Sequence, residues 1–138
     1  MIQHKHILIN ATIKRPITKI HEAEKFLSDL VTTIDMKPLI RPVCRYVETE
    51  GNRGMTGALL IETSHIAFHI WDEEEPAKLR FDLYTCGALN EQLVLKFVDR
   101  QFGFISGGHS LGLSRYLSGD WMLLDRETQN SIIGGGFI

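Results

Sequence analysis

The sequence has few cysteines, no cluster of basic residues and no long apolar run, and each absence excludes a class of protein. Two cysteines, Cys44 and Cys86, are too few for a disulfide framework and lack Cys-x-x-Cys spacing, so free thiols are expected. The 15 Lys and Arg are dispersed among 17 Asp and Glu, which argues against a nucleic-acid partner. Because no segment fits a signal peptide or a membrane span, we expect a cytoplasmic protein with no membrane partner.

What is present is the composition of a folded protein. Apolar residues make up 43% of the 138 residues and charged residues 23%, with a net charge of −2. A chain of this size buries roughly two thirds of its unfolded surface, which is enough for a core without disulfides. Since no internal repeat or linker interrupts the pattern, we expect one domain spanning residues 1–138.

Apolar periodicity predicts five strands and two helices. Alternating residues indicate strands, and spacings of three and four residues indicate helices. Pro42 favours an edge position for the second strand, because proline cannot donate to a β-ladder. Thr18 is the expected N-cap of the first helix. The predicted strands are His4 to Ile13, Leu39 to Val47, Met55 to Ile61, Ser64 to Trp71 and Lys78 to Thr85; the helices are Lys19 to Ile34 and Asn90 to Phe102.

This order predicts an α+β fold, a two-layer α/β sandwich whose mainly antiparallel sheet carries both helices on one face. The opposite face would carry His65, Ala67, His69 and Trp71, an unusual set for a solvated surface. A site or a homodimer contact is expected there. After about Phe102 the chain is extended and punctuated by glycine, with "SGGHSLG" interpreted as a turn and the closing "GGGF" as a flexible tail.

Two motifs resemble a known family. The chain has "GMTGALLIETSHIAFHIWDE" followed by "DLYTCG". These residues are similar to the signature of the bacterial and archaeal S-adenosylmethionine decarboxylases, which reads approximately GVTGVxLIxESHIxIHTWPE and then DxFTCG. The family consists of small self-processing enzymes. The resemblance therefore implies a pyruvoyl-dependent decarboxylase of S-adenosylmethionine that supplies the aminopropyl donor of spermidine synthesis.

The resemblance also assigns roles to residues. Ser64 would become the covalent pyruvoyl cofactor, so the chain would be cut between Thr63 and Ser64. His69 would assist this processing, a role that suits a group with a pKa near neutrality. Cys86 would donate the proton that quenches the carbanion after decarboxylation. Thr56 and Glu73 correspond to residues near the processing bond or the substrate, with weaker assignments.

The chain departs from the family pattern at several positions. Thr63, Ile70 and Asp72 stand where the family has Glu, Thr and Pro. The family's adenine-stacking aromatic residue falls in the segment that here reads "VETEGNRG", and Tyr46 is a candidate replacement. Strict strand alternation places Ser64 and His69 on opposite faces, so their cooperation would require a bend or bulge near Ser64.

Three functional alternatives stay open from the sequence. The first is the S-adenosylmethionine decarboxylase; the second is a pyruvoyl-dependent decarboxylase of arginine or ornithine. The third is an unprocessed, non-catalytic paralogue that acts as a regulatory partner. No metal site is expected, since the histidine spacings at His4, His6, His65 and His69 supply no set of three or four converging ligands.

Overall fold

The computed structural model describes residues 4–105, 121–125 and 130–132. Within these ranges it contains seven strands and two helices. The strands are β1 (Lys5–Ile13), β2 (Val43–Val47), β3 (Gly54–Ile61), β4 (Ser64–Trp71), β5 (Ala77–Thr85), β6 (Trp121–Asp125) and β7 (Asn130–Ile132), and the helices are α1 (Ile20–Thr33) and α2 (Glu91–Phe102).

All seven strands form one sheet in the order β2-β3-β4-β5-β1-β6-β7. The first five are antiparallel to their neighbours. β6 then runs parallel to β1, and β7 pairs antiparallel with β6. The prediction of a mainly antiparallel sheet is therefore confirmed, and β2, which follows Pro42, lies at its edge as that proline indicated.

Both helices pack on one face of this sheet. Phe26 of α1 contacts Phe68 of β4 edge-on at 5.4 Å between ring centroids, and Phe102 of α2 in the same manner at 4.9 Å. Such edge-to-face pairs add roughly 0.5–1.5 kcal/mol each beyond the area that they bury. The aromatic cluster joins the three elements, which confirms the two-layer sandwich.

Strand alternation decides which side chains face the helices. The buried residues of β4 are Ile66, Phe68 and Ile70, and the intervening residues point the other way. We call the second side of the sheet the open face, because no helix of the described residues covers it. Side chains of the open face include His6, Leu8, Thr56, Ala58, Leu60, His65, Ala67, His69, Trp71, Lys78, Arg80, Asp82 and Tyr84.

Most element ends lie within one residue of expectation, and the cap of α1 and the start of β2 need a separate explanation. The N-cap of α1 is Lys19 and not Thr18, and the Lys19 side chain makes no capping hydrogen bond. On the helix itself, Ile20 is 46% exposed, whereas Phe26 belongs to the buried face. β2 begins only at Val43, since residues 40–42 leave the ladder, although Pro38 still bridges to Ile61 of β3. The N-cap of α2 is Asn90, whose side chain accepts a hydrogen bond from the N–H of Leu93 at 3.1 Å.

Two parts of the sequence prediction lie outside the described residues, namely the "SGGHSLG" turn and the glycine-rich end. Within the described ranges, neither helix has the length and apolar character that crossing a membrane requires.

Candidate active site

The polar run Glu62 to His65 contains a tight turn. Ile61 pairs with Ser64 across the β3–β4 hairpin, so Glu62 and Thr63 are the two turn residues. Ser64 itself has φ 148°, a value that residues other than glycine rarely adopt. A backbone outlier of this type costs on the order of 1–3 kcal/mol and persists only where the surrounding structure enforces it. The strained residue is the one that the motif marked for processing.

A neighbouring segment holds the peptide that precedes Ser64. The carbonyl oxygen of Thr63 accepts a hydrogen bond from the backbone N–H of Cys86 at 2.9 Å. Cys86 follows directly on β5, whose last residue Thr85 pairs with Ser64. The hairpin turn and the end of β5 therefore bring Thr63, Ser64 and Cys86 together.

His69 lies elsewhere, in the middle of the open face. Its Nδ1 is 3.2 Å from the Oγ1 of Thr56, its cross-strand partner on β3. Its ring stacks on the indole of Trp71 with 5.9 Å between centroids. The structure thus pairs the imidazole and the hydroxyl that the motif comparison singled out, and an aromatic neighbour orients the imidazole.

Within a single chain, His69 does not lie near Ser64. The β3–β4 pairing runs without interruption from Ile61 opposite Ser64 to Thr56 opposite His69, so the expected bulge is absent from this hairpin. Five residue steps of about 3.3 Å separate the two Cα atoms by roughly 16 Å. The irregularity near Ser64 is confined to its φ angle. The candidate residues therefore form two groups, a processing corner (Thr63, Ser64, Cys86) and an open-face pair (Thr56, His69).

The glycines of the motif serve packing. A Cβ on Gly54, which has φ 148°, would lie 1.8 Å from the carbonyl oxygen of Ile70. A Cβ on Gly57 would lie 2.6 Å from the ring of Phe68. Both distances are impossible for real atoms, so glycine is required wherever β3 and β4 pack this way.

Glu73 and Asp72 hold a loop in place. The Glu73 carboxylate accepts from the backbone N–H groups of Arg53 at 3.0 Å and Gly51 at 3.1 Å, and these bonds lower its pKa. Asp72 accepts from the phenol of Tyr46 at 2.8 and 2.9 Å and from Nε of Arg53 at 3.0 Å. Tyr46 packs against the helix-side core and not beside His69. In this conformation it offers no stacking surface on the open face.

Polar side chains cluster at the other end of the open face. The Nε2 atoms of His6 and His65 lie 2.6 Å and 3.7 Å from the same oxygen of Asp82, and both imidazoles contact the ring of Tyr84. Among residues 4–105 and the described strands beyond them, no group of three or more His, Cys, Asp or Glu is arranged to hold a metal ion.

Comparison with known families identifies the family of the chain. Residues 5–106, well over half of the chain, match the family model described as S-adenosylmethionine decarboxylase. The chain belongs to the S-adenosylmethionine decarboxylase family. Comparison with curated proteins found no match. Membership supports decarboxylation of S-adenosylmethionine in general, and the matched range contains both the processing corner and the open-face pair.

The family motif contains one further buried group that the sequence interpretation missed. Thr85, in the "DLYTCG" segment, is fully buried, and its hydroxyl donates to the Oγ1 of Thr63 at 2.9 Å. A signal was present in the sequence. Thr85 lies on the same side of β5 as Ala77, Leu79, Phe81 and Leu83, which face the core. A hydroxyl group on that side must find a hydrogen-bond partner within the core.

The two cysteines have different surroundings. Both are free, in agreement with the prediction from their number. Cys44 is half-buried between β3 and α1, and burial, with a smaller contribution from Glu24, raises its pKa to about 11. Since the thiolate is the reactive form, Cys44 is poorly reactive near neutral pH, and Cys86 is the candidate for chemistry.

Proposed function

We propose that this protein is a pyruvoyl-dependent decarboxylase of S-adenosylmethionine that cuts its own chain between Thr63 and Ser64. Its product would be the aminopropyl donor of spermidine synthesis, made in the cytoplasm. The observation that carries the proposal is the geometry at the cut: Ser64 is strained, and the carbonyl before it is already bonded to the Cys86 N–H at 2.9 Å.

The processing chemistry follows from that contact. The Ser64 hydroxyl attacks the Thr63 carbonyl carbon, and negative charge develops on the oxygen that Cys86 N–H contacts. A preorganised donor of this kind is worth about 10²- to 10³-fold in rate. The C–N bond then breaks, the Ser64 nitrogen takes a proton, and an ester joins the two residues. Elimination releases the Thr63 carboxylate, and hydrolysis of the resulting dehydroalanine with loss of ammonia leaves a pyruvoyl group.

A pyruvoyl group supplies a ketone that accepts the electrons left when carbon dioxide departs, a role that ordinary side chains cannot perform. The processing corner fits the formation of a pyruvoyl group. Ser64 begins β4, and the carbonyl of the preceding residue, Thr63, accepts a hydrogen bond from the N–H of Cys86. In turnover the Cys86 thiol donates the proton that replaces carbon dioxide. Its position beside Thr63 supports this role.

The separation of Ser64 and His69 supports a homodimer as part of this proposal. An imidazole roughly 16 Å along the same strand cannot take a proton from the serine hydroxyl, since that transfer requires about 2.6–3.2 Å. A second copy packed on the open face would supply His69 and Thr56 to the first copy's processing corner. Exposed Leu60 and half-buried Trp71 on this face favour such packing over exposure to water.

A second candidate is decarboxylation of arginine or ornithine. It is favoured by the loop at residues 48–54. Tyr46 is held by Asp72 on the helix side, and both oxygens of Glu73 are engaged by the loop backbone. Among the described residues of this loop no aromatic side chain is present to stack on adenine. A smaller amino acid needs no such group.

Intact mass and a denaturing gel on the purified protein provide the test. Self-processing predicts a fragment ending at Thr63 and a second fragment lighter, by the mass of ammonia, than one beginning with serine. Carbon dioxide release is then measured from S-adenosylmethionine, arginine and ornithine in parallel. Release from S-adenosylmethionine alone supports the proposal, and release from another substrate selects the second candidate. A chain that stays uncut overturns both and leaves the non-catalytic partner.

A further inference from the structure

A relay of two hydroxyl groups, one of them fully buried, lies next to the bond that is to be cut. The Thr85 hydroxyl accepts from the backbone N–H of Gly87 at 3.0 Å and donates to the Oγ1 of Thr63 at 2.9 Å. The Thr63 hydroxyl in turn donates to the Sδ of Met36 at 3.7 Å. Thr85 is completely buried, so none of its bonding is left to water.

The direction of this relay is fixed by its two ends. The Gly87 N–H only donates, and the thioether of Met36 only accepts. Each hydroxyl between them has a single proton, so both hydroxyls must donate toward Met36. A network with one arrangement of protons holds its members more tightly than one in which the hydroxyls rotate among partners.

The relay therefore fixes the rotamer of Thr63. Its Oγ1 lies between Thr85 and Met36, and its Cγ2 lies against Gly87, 3.5 Å from where a Cβ of that residue would be. The hydrogen bond from the Cys86 N–H to the Thr63 carbonyl joins the same two segments of the chain. Thr63 is thus tied to residues 85–87 through its side chain as well as its backbone.

We propose that Thr85 is a positioning residue for self-processing, which acts through the side chain of Thr63 to hold the Thr63 carbonyl on the Cys86 N–H while Ser64 attacks. The inference rests on the proposed self-cleavage. This role also explains the side chain of Thr63, which stands where the family has glutamate. The short side chain of Thr63 places its hydroxyl within hydrogen-bond distance of Thr85 while its backbone stays in the turn. The relay belongs to the first step, ester formation, and not to the later elimination.

The test compares the original protein with three variants during cleavage after refolding or translation. Thr85→Val has nearly the same shape without the hydroxyl, and we expect it to cut about 10- to 100-fold more slowly, as a small misplacement of reacting atoms costs. Thr85→Ser restores the hydroxyl and should recover the rate to within a few-fold. Val98→Ala serves as a control that loosens the core at α2, away from the cut, and should cut at the original rate.

Hydroxylamine separates slow ester formation from slow elimination. It cleaves esters, so it releases the fragments as soon as the ester forms. If Thr85 positions the carbonyl for attack, the slow cutting of Thr85→Val persists with hydroxylamine. Full recovery by hydroxylamine would place the defect after the ester and overturn the inference. Equal cutting by Thr85→Val and the original protein would also overturn it and leave self-processing intact. Absence of cutting in the original protein as well as in all three variants would overturn self-processing itself.

Discussion

The backbone N–H of Cys86 donates to the carbonyl oxygen of Thr63 across 2.9 Å, so the residue assigned to turnover also touches the bond assigned to processing. The two roles use different atoms of Cys86. Processing uses the backbone N–H, which every residue except proline retains, and turnover uses the thiol. Substitution of the side chain can therefore separate the two reactions.

Cys86→Ala should cut its chain and then turn over poorly. The backbone donor is unchanged, whereas loss of a positioned acid lowers turnover by about 10²- to 10⁴-fold. Intact mass measures cutting, and release of carbon dioxide measures turnover. Ser64→Ala should remain one uncut, inactive chain, and His69→Ala should chiefly impair cutting. An uncut Cys86→Ala chain that is folded would contradict the separation of roles.

Strain at Ser64 predicts an unusual order of stability. The φ of 148° is accessible to glycine but not to alanine. In the uncut state, Ser64→Gly should therefore be more stable than Ser64→Ala by about 1 kcal/mol, the reverse of the usual order in a strand. Urea unfolding of the two variants measures this difference. Ala67→Gly in the same strand is the control and should be destabilising.

Much of the fold could be predicted, because the periodicity of apolar residues reports burial directly. β4 was predicted at its observed ends, Ser64–Trp71, and the helices on one face followed from element order. Contacts made by single polar atoms could not be predicted. The bond from Cys86 to Thr63 depends on β-strand register between segments far apart in the chain, and the capture of Tyr46 by Asp72 depends on which side of β2 the phenol occupies.

Burial of Cys44 predicts a thiol that reacts only at high pH. With a pKa of about 11, its thiolate fraction near pH 8 is on the order of one in a thousand. In the Cys86→Ala protein, alkylation of Cys44 by iodoacetamide should rise about tenfold per pH unit up to about pH 10. The rate is measured by intact mass. A plateau near pH 8.5 would show an ordinary exposed thiol, and Cys44→Ala provides the separate profile of Cys86.

The lowered pKa of Glu73 predicts a contribution to stability that depends on pH. Backbone N–H groups of Arg53 and Gly51 favour its charged form in the folded state. Its contribution is then fully present above the unfolded pKa, near 4.5, and is lost as pH falls through the lower folded value. In the Ser64→Ala background, Glu73→Gln should be destabilising at pH 6 and less destabilising at pH 3 by urea unfolding. Glu74→Gln in the same turn is the control, and an equal effect of Glu73→Gln at both pH values would count against the assignment.

Mixed dimers test whether a second copy completes the site. If Ser64 and Cys86 of one chain meet His69 and Thr56 of the other, a dimer of Ser64→Ala with His69→Ala chains contains one site with all four original residues. In that site the intact Ser64 belongs to the His69→Ala chain. Co-expression should therefore restore cutting of the His69→Ala chain, while the Ser64→Ala chain stays whole.

Each chain carries a different affinity tag, and mass spectrometry of the purified mixed dimer identifies the chain that is cut. The rate at which the His69→Ala chain is cut should approach the rate expected for one intact site per dimer. Co-expression of His69→Ala with Thr56→Ala supplies the control, because both lesions lie in the open-face pair and every site then lacks one member of it. Failure of the first combination to restore cutting, in a dimer confirmed by light scattering, would require His69 to act within its own chain and would refute the shared site.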